Sequence, residues 1–153
     1  LMRAKLGLET PQGEDAALID GLLTVMAEVE ADHTQTFRAL SMILRGDDSV
    51  FLACCGAADE AVRWLDRFKA RHGQETVLAE VRAAAMDRTN PLYIARNHLV
   101  EQAIDAATQD GDPGPLTALA DVLADPFTVR NGLDAYSRPE PGHDRQHLTF
   151  CGT

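Results

Sequence analysis

The chain has 153 residues, 45% hydrophobic and 25% charged, with a formal charge of −10. That balance is globular and excludes a disordered chain, and a domain of this size hides roughly 70% of the surface its unfolded chain exposes. The negative charge excludes a general nucleic-acid binder, because phosphate would be repelled at long range.

Aromatic residues make up only 5% of the chain, so the core must be mostly Leu, Ala, Val, Ile and Met. This favours helix packing over a sheet. No run of 18 apolar residues is present, so no membrane-spanning helix is expected. The opening Leu1-Met2-Arg3-Ala4-Lys5 lacks the apolar stretch of a signal peptide. Three cysteines, two of them adjacent, do not make a disulfide framework, and a reducing cytoplasm is the expected location. A start on Leu1 rather than Met suggests a cut from a longer chain.

From Asp15 to about Val29, residues Leu18, Ile19, Leu22, Leu23, Met26 and Val29 follow the period of an amphipathic helix. Asp32 can cap a second helix, with Gln35 three residues on as in a capping box. Phe37, Leu40, Ile43 and Leu44 form its stripe, and Gly46-Asp47-Asp48 ends it. Val50–Cys55 reads as a buried helical turn or connector. From Asp59, residues Ala61, Trp64, Leu65 and Phe68 make a clear helix, with Gly73 expected to supply a left-handed cap. Val77, Leu78, Val81, Ala84 and Ala85 mark another helix before Asn90-Pro91.

Pro91 can open the next helix at its first position, with Leu92, Ala95, Leu99, Ala103 and Ala106 along one face. Gly111–Gly114 is a loop. Pro115 then starts a short helix with Leu116, Leu119, Ala120 and Leu123 inward, ended by Asp125-Pro126. A last weak helix is expected over Phe127–Tyr136. The expected fold is all-α: an irregular array of six or seven helices over residues 1–136. The proline-rich stretch from 137 to 153 is expected to form an extended or mobile tail.

The usual catalytic signatures are absent: no phosphate-binding glycine loop, no H-E-x-x-H, no C-x-x-C and no nucleophile elbow. No catalytic residue, cofactor site or metal site is assigned to this segment. Arg63, Arg67 and Arg71 share a helix spacing and read as a solvated face. Arg96 projects from the apolar stripe of its expected helix, where an unpaired guanidinium would be costly. It therefore serves either as a buried ion pair locking two helices or as a contact with a partner domain. His98, Glu101, Gln102 and Asp105 form a polar stripe, more simply a solvated face than a metal site. His143, His147 and Cys151 are spaced by four, but a fourth zinc ligand is missing and prolines precede them. Cys151 lies three residues from the end, where exposure and mobility suit thiol exchange, although an incidental surface cysteine fits as well. Cys54 and Cys55, in an apolar run, are expected to be buried and inert.

Several stretches together resemble the C-terminal part of the SelO/YdiU family, the selenoprotein O-like protein adenylyltransferases with a pseudokinase fold. They are Met2–Leu8, Asp32-His33-Thr34 with Thr36-Phe37-Arg38, Asn90–Leu99, Ala103-Ile104, Gly111-Asp112, Pro126-Phe127 and the cysteine third from the end. Asn90-Pro91-Leu92-Tyr93-Ile94-Ala95-Arg96-Asn97-His98-Leu99 is the most specific piece. The resemblance implies transfer of AMP from ATP, with magnesium or manganese, to hydroxyl side chains of protein substrates. It places the nucleotide and metal residues in kinase-like lobes that precede the matched part, so none is carried onto this chain. Cys151 falls where family members carry selenocysteine or cysteine, a position associated with redox control through a bond to the kinase-like region. Asp32-His33-Thr34 departs from an expected Asp-Tyr-Thr, which puts nothing catalytic in doubt. The region is then inactive alone, buttressing the lobes, with Arg96 a candidate lobe contact. The competing reading is a stand-alone helical protein-interaction module. A small metal-binding bundle is a third option.

Overall fold

Residues 1–140 are described by the structure, a computed structural model. Among them the fold is all-α, with nine helices and no strand. The count exceeds six or seven because the single turn α1 (Met2–Lys5) and the Val50–Cys55 run each form a helix; α9 (Asp134–Ser137) is also a single turn. The others are α2 (Asp15–Glu28), α3 (His33–Leu44), α4 (Ser49–Cys55), α5 (Asp59–His72), α6 (Ala79–Thr89), α7 (Asn97–Gln109) and α8 (Gly114–Ala124). No helix among the described residues is long and apolar enough to cross a membrane.

Periodicity builds the first half. Asp32 caps α3 by accepting from the Gln35 amide at 2.7 Å, and Phe37, Leu40 and Ile43 below it are buried. α4 takes the place of the ambiguous Val50–Cys55 run and ends on Gly56, whose φ of 72° is the left-handed geometry glycine supplies without strain. α2 lies against α5, while α3 packs on both α4 and α6. Trp64 of α5 binds these layers together. Its ring lies 5.1 Å from Phe51 of α4 and 5.0 Å from Phe68. Its indole N–H donates to the Leu18 carbonyl of α2 at 2.8 Å, so a large apolar side chain is buried with its one polar atom satisfied.

After α1 the chain turns inward, burying Leu6 and Leu8. Gly7 makes this possible: its φ is +69°, and a Cβ there would meet the Met86 sulfur of α6 at 2.5 Å.

The second half departs from the sequence expectation in four places. Gly73 has φ −64° rather than a left-handed value; the end of α5 closes through tight turns, with the Gln74 and Glu75 amides donating to Arg71 and His72 carbonyls. Pro91 opens no helix. Residues 91–96 are irregular because the Leu92 and Tyr93 amides donate to the Pro126 carbonyl at 2.7 and 3.1 Å, and α7 begins only at Asn97. α8 buries Leu119 and Val122 but leaves Leu116 and Ala120 exposed. The weak helix expected over Phe127–Tyr136 shrinks to α9. There Arg130 donates to the carbonyls of Asp121, Val122 and Asp125, which fixes a turn instead of a helix.

α7 and α8 pack chiefly on each other. The main core cluster is drawn from residues between Leu6 and Met86 and includes nothing from this pair. The hydrogen bonds and ion pair of the Asn90–Arg96 stretch link this side of the molecule to α1, α3 and the end of α9.

Candidate functional site

Asn90 ends α6 with its side chain buried among three elements. Its side-chain amide nitrogen donates to the Lys5 carbonyl at 2.8 Å and to the Phe37 carbonyl at 3.3 Å, its Oδ1 accepts from the Lys5 Nζ at 3.5 Å, and its backbone carbonyl accepts from Arg38 at 3.0 Å. An asparagine is suited to this junction because one side chain offers both donor and acceptor atoms. Three residues on, Tyr93 is 2% exposed; its hydroxyl accepts from the Arg130 amide at 3.3 Å, and the Arg130 guanidinium lies over its ring at 5.6 Å.

Arg96 completes the stretch. It is buried, and its Nη1 and Nη2 donate to the two carboxylate oxygens of Asp32 at 2.8 and 3.1 Å. The fork-to-fork geometry is the strong form of such a pair. Asp32 therefore caps α3 and neutralises Arg96 with one carboxylate. The Nη2 of Arg96 also donates to the Ser137 carbonyl at 2.8 Å, and the Gln35 side chain reaches the same carbonyl at 3.3 Å. The clasp joins the start of α3, the start of α7 and the end of α9. Ser137 lies fourteen residues before Cys151, so the clasp fixes the point from which the C-terminal segment departs.

A second polar cluster lies at the C-terminal end of α5. Arg71 is buried, donating to Asp15 at 2.8 Å and to the Thr10 carbonyl at 2.5 Å, with Glu75 at 2.9 Å. Burial alone would raise the Asp15 carboxyl, but hydrogen bonds from Arg71 and the Gln12 amide outweigh it and hold it low. The same opposition, with Arg71 and the Thr10 amide as donors, holds Glu75 low. His72 beside them gives one ring nitrogen to the Leu6 carbonyl at 2.9 Å and meets the buried Arg82 at the other. Burial first, then the charge of Arg82, pushes His72 down to about 4, so it is neutral at pH 7. Arg71 is thus no part of a solvated stripe with Arg63, which pairs with Glu60, and the exposed Arg67.

Cys55 is buried and Cys54 half-buried, both as free thiols. Burial, then its neighbour Cys54, pushes Cys55 up to about 11; burial, then Asp32, raises Cys54. Neither is poised as a thiolate at neutral pH. Glu101, Gln102 and Asp105 are exposed and His98 half-buried. No group of three or more His, Cys, Asp or Glu able to hold a metal occurs among the described residues. His143, His147 and Cys151 lie outside the described residues.

Arg96 is the one site residue that the sequence singled out and the structure describes. Asp32 had been noticed only as a cap. The Asp15–Arg71–Glu75 and His72–Arg82 groups were missed. The one local signal was Arg71 and Glu75 at i, i+4 around a helix end.

Residues 1–124 match the family model of protein adenylyltransferase SelO. The chain is 41% identical over 152 residues to the protein nucleotidyltransferase YdiU of Sphingopyxis alaskensis, covering 99% of this chain and 31% of that protein. It is 42% identical over 152 residues to the YdiU protein of Chromobacterium violaceum (99% and 32% covered). Against the Bordetella avium YdiU protein it is 45% identical over 140 residues (92% and 28% covered). The chain spans about a third of the length of the curated relatives it matches.

Proposed function

The chain belongs to the SelO family of protein adenylyltransferases, and from that premise we propose that it is the C-terminal helical part of such an enzyme. Its role is to support kinase-like lobes and to anchor a regulatory cysteine tail. In the parent enzyme, ATP with magnesium or manganese supplies AMP to hydroxyl side chains of protein substrates. The hydroxyl oxygen bonds the α-phosphorus, pyrophosphate leaves, and the hydroxyl proton is released. The residues that bind nucleotide and metal belong to the lobes, and this segment is inactive alone.

The observation that carries the reading is the Arg96–Asp32 clasp on Ser137. It spends a buried ion pair on fixing the root of the segment that ends in Phe150-Cys151-Gly152-Thr153. A tethered thiol gains a high effective concentration toward a partner thiol within reach. Cys54 and Cys55 are poor partners, because burial keeps both protonated. We take the partner cysteine, as the family resemblance implies, to lie in the lobes.

The test uses the full-length protein, labelled ATP and manganese or magnesium, with and without reductant. AMP labelling of protein is expected, with a rate that reductant changes severalfold in the native enzyme but not in a Cys151→Ser variant. A rate indifferent to both treatments removes the regulatory tail. No labelling under any condition leaves the stand-alone interaction module.

A further inference from the structure

We infer that residues 91–137 form a cooperative unit that opens by local unfolding while the α1–α6 core stays folded, with the Arg96–Asp32 pair as its latch. The unit itself follows from the fold; only its consequence for the C-terminal segment rests on the family reading above.

Burial marks the unit off first. The main core cluster draws every member from Leu6 to Met86, and α7 and α8 contribute none. Those two helices pack chiefly on each other. Between 91 and 137 the buried apolar side chains are Tyr93, Ala103, Leu119 and Val122, whereas Ile104, Leu116 and Val129 are exposed. A segment with so few buried apolar contacts belongs to the low-stability end of a fold.

The segment is also closed on itself. The Leu92 and Tyr93 amides donate to the Pro126 carbonyl at 2.7 and 3.1 Å. Arg130 donates to the Val122 carbonyl at 2.7 Å and lies over the Tyr93 ring. These contacts join residues within the segment, so they are made and lost together. Asn90, just before it, stays with the core through the Lys5 and Phe37 carbonyls. Across that boundary the start of α3 holds the segment, through Asp32 to Arg96 at 2.8 Å and Gln35 to the Ser137 carbonyl at 3.3 Å.

Opening is unfolding rather than a rigid swing. α7 has 13 residues and α8 has 11, and helices shorter than roughly 12–15 residues are marginal in water without tertiary support. Once parted from α3, the pair retains too little burial to protect its amides. Opening also frees the Ser137 carbonyl from Arg96 and Gln35, so the root of the C-terminal segment is released in the same step.

The experiment is amide hydrogen exchange read by mass spectrometry on the full-length protein, across low urea concentrations. Peptides from α7 and α8 should exchange at least about tenfold faster than those from α2 and α5. Two variants show whether that exchange is local. Ile43→Val removes one methylene from the core and should speed α2 and α5 by roughly two- to tenfold, leaving α7 and α8 unchanged. Asp32→Asn loosens the latch and should speed α7 and α8 at least about tenfold; α2 and α5 follow, because every larger opening also breaks the latch. Exchange of α7 and α8 as slow as that of α2 and α5 overturns the inference. Equal acceleration of all four helices by Ile43→Val overturns it too. Unchanged α7 and α8 exchange in Asp32→Asn removes the latch. If Asp32→Asn fails to fold, the native chain and Ile43→Val still decide. AMP transfer by the same preparations keeps the two readings apart: an active protein with uniform exchange loses this inference alone, and an inactive one with separate exchange loses only the enzymatic reading.

Discussion

Arg71→Met should lower the unfolding free energy at pH 7 by about 3–5 kcal/mol, the cost of leaving a buried counter-charge uncompensated. Methionine fills much of the volume, so the loss measures charge rather than cavity. Arg71 serves three acceptors: Asp15, Glu75 and the Thr10 carbonyl. Without it, two buried carboxylates face each other with only amide donors left. The pH dependence fixes the cause. Both carboxyls are depressed in the folded chain. Their contribution is fully present above their unfolded values near pH 4 and is lost as pH falls through the folded ones. The difference between native chain and variant should therefore shrink below about pH 4. His72 acts over a higher window. Its folded value of about 4 lies below the ordinary 6.5, so the unfolded chain binds the extra proton between them and stability rises with pH across that interval. His33, depressed in the same way by burial and Lys5, adds in the same direction. Urea unfolding from pH 7 to pH 3.5, on the native chain, Arg71→Met and His72→Gln, checks each part. A variant deficit that stays constant through pH 3.5 would show that packing, not charge, is lost.

Arg96→Ala should cost about 2–4 kcal/mol, slightly less than Arg71 because Asp32 retains partial contact with water and its cap bond to Gln35. Asp32→Asn offers the counterpart, since asparagine still caps the helix but cannot neutralise the guanidinium. In a double-mutant cycle the two substitutions should couple by about 1–3 kcal/mol. In the full-length enzyme, Arg96→Ala should also alter the rate of AMP transfer by releasing Ser137. If Arg96→Ala changes neither stability nor transfer, the clasp has no functional part.

Periodicity made α2, α3 and α5 legible, because each has one apolar face and its cap or stop residue lies within a few positions. α6 was legible as a helix but not in its orientation. The inward pull on Arg82 comes from His72, ten residues away in the sequence and on another helix, and pattern alone favoured the apolar side. Residues 91–96 resisted for a similar reason. Proline at a helix start is a sound local signal, yet the Pro126 carbonyl takes the amides of Leu92 and Tyr93 first. At the site, electrostatics singled out Arg96 as needing a partner, but the partner is 64 residues away and no spacing points to it. Asp15 and Arg71 are separated by 56. Ion pairs between distant helices leave no periodic trace, so these were found only in three dimensions.

The central claim is that the chemistry lies outside this segment while the enzyme depends on it. The most direct measurement compares AMP labelling of protein from labelled ATP by the full-length protein, by residues 1–153 of this chain alone, and by the full-length protein lacking them. Labelling by the full-length protein only, or with a large loss on removing the segment and none from the segment alone, is the predicted result. Labelling by the isolated segment, or undiminished labelling without it, would contradict the account.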